Sequence, residues 1–146
     1  MGIFNYIGLI IICLIMIPNI IFAFTNRDGF INIYKNKGVE ICEQIGRYGC
    51  FIFMIVNIPY TYFNFWFTNA MIVYAIVNTL LVFGYLVIWI ACFKKNSVFK
   101  SLSLSILPSV MFLFSGVMLA SIPLIICALI FAPTHILISY KNSVSK

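Results

Sequence analysis

The sequence predicts an all-α integral membrane protein: a bundle of five transmembrane helices, with four as the alternative, the N-terminus outside and the C-terminus cytoplasmic. Three observations carry this prediction. Hydrophobic residues make up 64% of the chain and charged residues only 8%, against roughly 25% charged in an ordinary soluble domain. A chain so poor in charge cannot cover its own core with polar surface, so lipid must be the solvent for much of it. The apolar residues also come in runs long enough to cross a hydrocarbon core of about 30 Å. Finally, the basic residues gather in short groups between those runs, where Lys and Arg set orientation. The net charge of +6 is therefore read as a topology signal, with the lipid bilayer as partner and no nucleic acid. The 146 residues form one transmembrane domain, 1–146.

The first span covers about residues 3–24. No basic residue precedes it and it is longer than the usual apolar core of a signal peptide, so a cleaved leader is not expected. Pro18 breaks its hydrogen-bond ladder at the Leu14 carbonyl and Asn19 follows at once, a pattern tolerated in lipid where neighbours re-satisfy the backbone. The one long polar connection runs from Thr25 to about Gly46 and carries Arg27, Asp28, Lys35, Lys37, Glu40 and Glu43. Phe30, Ile31, Ile33 and Tyr34 interleave these charges, so the segment is expected to lie along the interface.

From Val39 the spacing becomes helical. Glu40, Glu43, Gln44 and Arg47 stand three or four apart and share a face, with Glu43 before Arg47 in the favourable i,i+4 order. This second helix is expected to enter the membrane near Tyr48 and to continue to about Phe67, with Cys50, Asn57, Thr61 and Asn64 as a sparse polar stripe. The aromatic cluster of Tyr60, Tyr62, Phe63, Phe65, Trp66 and Phe67 marks the second interface. A third span follows over about residues 70–93, containing Tyr74, Asn78, Thr79, Gly84 and Tyr85. Trp89 precedes its end, and Lys94, Lys95 and Lys100 stop it.

The last apolar run covers residues 101–140. As one straight helix it would be about 60 Å long, twice the hydrocarbon thickness, so it must fold back. Ala120-Ser121-Ile122-Pro123 is the expected turn, because Pro is tolerated at a helix start. That gives spans over about 104–121 and 122–140, or one span plus an interfacial helix as the alternative. With five spans and an outside N-terminus, every Lys and Arg, including Lys141 and Lys146, falls on the cytoplasmic side.

Helix association in lipid relies on small residues and polar contacts. Ser101, Ser105, Ser109, Gly116 and Ala120 make a small-residue stripe on the fourth span, and Ala128 and Ala132 repeat the pattern on the fifth. These faces can serve an internal hairpin, a homo-oligomer or a partner membrane protein.

The candidate polar cluster comprises Glu40, Glu43, Arg47, His135, Asn19, Asn57 and Asn78. Ionisable groups at membrane depth are expensive, so they point to function. By the topology above, Asn19, Glu43, Arg47, Cys92 and His135 share the cytoplasmic third. There they can line a polar cavity, with Glu43 or His135 as proton carrier or general base and Arg47 as anion anchor. The competing reading is an interfacial Glu43–Arg47 pair that fixes the tilt and depth of the second helix.

No phosphate-binding, dinucleotide, zinc-peptidase, serine-hydrolase or prenylation motif is present. Cys13, Cys42, Cys50, Cys92 and Cys127 include no CxxC pair, so neither a disulfide framework nor a metal site is expected, and no cofactor is implied. Inverted repeats of the transporter type are not visible.

Seven Lys against two Arg, with 27 Ile and 11 Asn, point to an AT-rich, bacterial source. The segment VEICEQIGRYGCFIFMIVNIP, preceded by IPNIIFAF, resembles small multi-pass membrane proteins of AT-rich Gram-positive bacteria. The resemblance covers mainly residues 17–58 and implies no activity; the expected location is the cell membrane, as a multi-pass protein. The Arg-His-Pro type motif of isoprenylcysteine methyltransferases is absent. The leading functional expectation is a non-enzymatic accessory or interaction subunit. A homo-oligomeric transporter or channel for a small solute comes second, using the polar stripe of the second and third spans. A membrane enzyme acting on a lipid-like substrate at the cytoplasmic interface is third.

Overall fold

A computed structural model describes residues 2–26, 32–95 and 97–145. Arg27, Asp28, Phe30 and Ile31 of the polar connection lie outside the described residues, as does Lys146. The described chain forms five helices, α1 Tyr6–Thr25, α2 Lys37–Ile55, α3 Ala70–Ala91, α4 Val98–Met118 and α5 Ile122–Val144. Two isolated bridges are its only extended pairing among the described residues. Four of the helices, α1, α3, α4 and α5, are long and apolar enough to cross a membrane. The composition and these helices fit a multi-pass membrane protein.

Side chains satisfy the free N–H groups at three helix starts. Asn5 accepts from the Gly8 N–H at 3.1 Å, Asn36 from Val39 at 3.3 Å and Ser97 from Lys100 at 3.2 Å. The long final run folds back at residues 119–121. Ala120 takes a positive φ of 47°, the Ser121 N–H donates to the Gly116 carbonyl at 2.9 Å, and Pro123 sits in the first turn of α5.

The second helix is shorter than its sequence pattern predicts, ending at Ile55 and not near Phe67. Val56 turns extended and bridges Phe4, and the Asn57 N–H donates to the Ile3 carbonyl at 2.8 Å. Pro59 follows and offers no backbone donor. Asn57, Thr61 and Asn64 therefore sit on an irregular connection, and only Cys50 of the expected stripe is on the helix. Tyr60 and Asn64 take positive φ values of 68° and 67° there, which no helix accommodates.

Consecutive helices alternate in direction. On α2 and α5, Glu43 meets His135, Gly46 meets Phe131 and Gly49 meets Cys127, an antiparallel pairing. On α1 and α3, Asn5 bonds Tyr74 and Asn19 bonds Tyr85, a parallel pairing. One end of the bundle thus gathers Lys35, Lys37, Lys94, Lys95, Lys100 and Lys141. The N-terminus, the 56–69 connection and the α4–α5 turn form the far end.

Glycine permits the closest approaches. A Cβ on Gly46 would lie 2.8 Å from the Phe131 backbone nitrogen, and one on Gly8 would overlap the Met54 carbonyl. Gly116 of the small-residue stripe meets Ile125 of α5 in the same way, while Ser105 and Ser109 are buried within the bundle. Gly116 thus packs the chain against itself, while Ser101 and Ala120 of the same stripe stay partly exposed.

Candidate functional site

All five helices line one cavity of about 670 Å³ at the charged end. Its inner wall is largely apolar, with Ile15 of α1, Phe51 of α2, Pro108 and Phe112 of α4 and Phe131 of α5. Polar groups converge above that wall. Asn19 comes from α1, Glu43, Gln44 and Arg47 from α2, Tyr85 from α3, Lys100 from α4 and His135 from α5.

Glu43 is the centre of this group and only 4% exposed. Its Oε1 accepts from Arg47 Nε at 3.0 Å, from Arg47 Nη2, and from His135 Nδ1, which lies 2.8 Å away. A carboxylate can only accept, so Nδ1 carries the proton of that contact. The Glu43–Arg47 part follows from helical spacing. The His135 part depends on Gly46, because any larger residue would hold α5 away from α2 one turn beyond Glu43. Phe131, one turn before His135, stacks on its ring at 4.5 Å between centroids and 19° between planes, which fixes the imidazole orientation.

Two atoms of this node carry no partner. Glu43 Oε2 and His135 Nε2 make no hydrogen bond among the described residues, and neither is sealed from solvent. Arg47 is half-buried, with 39% of its side chain exposed, and its guanidinium stands at the cavity wall.

Asn19 donates Nδ2 to the Tyr85 hydroxyl at 2.8 Å and to the Ile15 carbonyl at 2.8 Å, bracing α1 against α3 beside the cavity. Glu40 stands at the rim. Its Oε1 accepts from Asn32 at 2.6 Å, Asn32 accepts in turn from Asn142 at 2.9 Å, and Asn142 Oδ1 accepts from the backbone N–H groups of Ile33 and Tyr34 at 2.9 Å each.

Of the seven predicted polar residues, the structure brings Asn19, Glu40, Glu43, Arg47 and His135 to this cavity. Asn57 and Asn78 belong elsewhere and line no part of it. Asn57 donates to the Gly2 carbonyl at 3.1 Å at the far end, and Asn78 is enclosed between α3 and α4, where it accepts from Ser115 at 3.2 Å. Cys92 likewise stays off the cavity wall.

Sequence reasoning missed Lys100 as a wall residue, because a Lys at a span end looks like a boundary charge. Its ammonium in fact folds inward, donating to the Phe93 carbonyl at 3.0 Å and lying 4.4 Å from the Phe22 ring centre and 4.9 Å from that of Trp89. Trp89 Nε1 is sealed from solvent with no hydrogen-bond partner among the described residues. Tyr85 and Asn142 were missed for a similar reason, since a polar residue near a span end carries no sign of the direction in which it faces.

The five cysteines are free, and no group of three metal-binding side chains occurs among the described residues. The chemistry on offer is proton exchange at Glu43 and His135, anion contact at Arg47 and apolar contact below them. Compared with protein-family models, curated proteins and solved structures, the chain matches none.

Proposed function

We propose that this chain is a multi-pass cell-membrane protein that takes a lipid-like molecule into the cavity at its charged end and acts on it there. In this reading α2 is a fifth crossing, shielded from lipid on its polar side by α5 and α4. The N-terminus lies outside, and the charged end, with the C-terminus, faces the cytoplasm, as the placement of Lys and Arg favours. An amphiphile entering from that interface would put its chain against Phe51, Phe112 and Phe131 and its head near Arg47 and His135.

The observation that carries the reading is the contact between Glu43 and His135. These residues are 92 positions apart, and they meet at 2.8 Å on the cavity wall with one nitrogen and one oxygen unpartnered among the described residues. A pair serving only to set helix tilt needs neither the cavity nor the unpartnered atoms. An accessory-subunit reading draws on an outward small-residue face, and Ser105, Ser109 and Gly116 are spent inside the bundle. A solute path along Asn57 and Asn78 draws no support from a cavity that reaches neither.

The test is binding of a single-chain ether lipid, 1-O-hexadecyl-glycerophosphocholine, to the purified protein held in amphipol, followed by native mass spectrometry. Ser101 lines the cavity from α4, and Ser101→Trp fills that space. Wild type should retain one lipid per chain, and the folded variant should lose it. Equal retention by both would refute the reading.

A further inference from the structure

Resting on that reading, we infer that His135 is a general base acting through Nε2 on a carboxylic ester carried by the amphiphile, with Glu43 as its positioning residue. Three features of the site carry the assignment. Nδ1–H donates to Glu43 Oε1 across an N···O distance of 2.8 Å, so the neutral ring has its lone pair on Nε2. His135 lines the cavity, and its Nε2 makes no hydrogen bond among the described residues and is not sealed from solvent. Stacking on Phe131 and the double grip of Arg47 on Glu43 hold both groups of the pair in place before substrate arrives.

Depth selects the bond. His135 precedes Lys141 by six residues on α5, which is roughly 9 Å along the helix. The interfacial zone beyond the hydrocarbon is roughly 5–8 Å thick on each side. With Lys141 at the outer edge of that zone, His135 stands where headgroups join acyl chains, the level at which lipid ester bonds lie. The charged and titratable groups that line the cavity with it are Glu40, Glu43, Arg47 and Tyr48 on α2, Tyr85 on α3 and Lys100 on α4.

The step needs only water. Nε2 takes a proton from water as its oxygen bonds to the ester carbonyl carbon, and the carbonyl π pair moves onto oxygen. The tetrahedral intermediate then collapses, the bond to the alcohol oxygen breaks, and Nε2–H returns its proton to that leaving oxygen. The products are a carboxylic acid and an alcohol, and nothing is oxidised or reduced.

His135 is the single histidine of the chain, so histidine chemistry reports on it alone. Full-length protein in amphipol is treated with diethyl pyrocarbonate, with and without the ether lipid above, and hydrolysis of p-nitrophenyl decanoate is followed in parallel. Wild type should be carbethoxylated once at histidine, the ether lipid should slow that reaction, and the ester should turn over. His135→Gln should lose roughly 100-fold in kcat. Glu43→Gln should lose at least about tenfold in kcat with KM held. Thermal melting of both variants confirms that they fold. Modification slowed by the ether lipid, but with no hydrolysis that His135→Gln abolishes, overturns the base and leaves the lipid cavity standing. Modification indifferent to the ether lipid overturns the cavity reading beneath it. A loss in Glu43→Gln that falls on KM with kcat unmoved removes Glu43 from the positioning role.

Discussion

The two ends of the bundle use similar polar residues to opposite purposes. At the far end Asn5 bonds Tyr74, Asn78 bonds Ser115 and the Tyr74 carbonyl, and Asn57 bonds the Gly2 carbonyl. Backbone contacts from Asn5 to Ile55 at 2.7 Å and from Ile122 to Thr61 at 3.0 Å close the same region, leaving the Asn57 side-chain oxygen Oδ1 as its one sealed orphan among the described residues. At the charged end a single carboxylate oxygen takes every contact of the Glu43 node, and the other oxygen and the imidazole Nε2 stay open. Polar side chains by themselves do not distinguish a site from a brace. What distinguishes them is whether their hydrogen-bonding capacity is used up within the fold.

Substitutions can break or sharpen that contrast. The largest effect is expected from Gly46→Leu, which drives a side chain into the α5 backbone beside Phe131. A loss of about 3 kcal/mol or more should follow, read as a fall in the thermal midpoint, with His135 no longer held against Glu43. Asn78→Ala comes next. It removes the acceptor of the buried Ser115 hydroxyl and the donor to the Tyr74 carbonyl, and a loss of about 1–2 kcal/mol is expected, with ether-lipid retention unchanged. Glu43→Gln should have the smallest effect on stability, about 1 kcal/mol, because the neutral amide is cheaper to bury than the carboxylate, its oxygen can still accept from His135, and Arg47, 39% exposed, can turn to solvent. If Asn78→Ala proves harmless and Glu43→Gln unfolds the protein, the roles of the two ends are reversed.

Four of the helices were legible because a bilayer imposes a minimum apolar length and the chain meets it in separate runs. The α4–α5 turn was legible because a run of 40 residues cannot cross once, and Pro123 marks a helix start. The end of α2 was misread. Aromatic and aliphatic residues continue past Ile55 at helical spacing, so composition carries the pattern on to Phe67. The backbone there instead bonds to residues 3–5, a partner that no local pattern reveals. Asn57, placed on the helix stripe by the same spacing, was therefore misplaced.

Within the site, Glu43 with Arg47 could be read from an i,i+4 interval. The meeting with His135 could not, because it depends on how closely α5 seats against Gly46. Lys100 was visible as a charge, but its inward fold is set by the rings of Phe22 and Trp89, which the sequence leaves far apart.

The rim and the inner wall of the cavity are built from interactions of different kinds. Asn32, Glu40 and Asn142 frame the opening by hydrogen bonds that water can replace one for one at small net cost. Phe112 and Phe131 frame the interior by packing, at 5.6 Å between ring centres, for which water is no substitute. The opening can therefore loosen and re-form many times while the interior keeps its shape. Selection by head size is set at a yielding edge, and selection by chain shape at a rigid one.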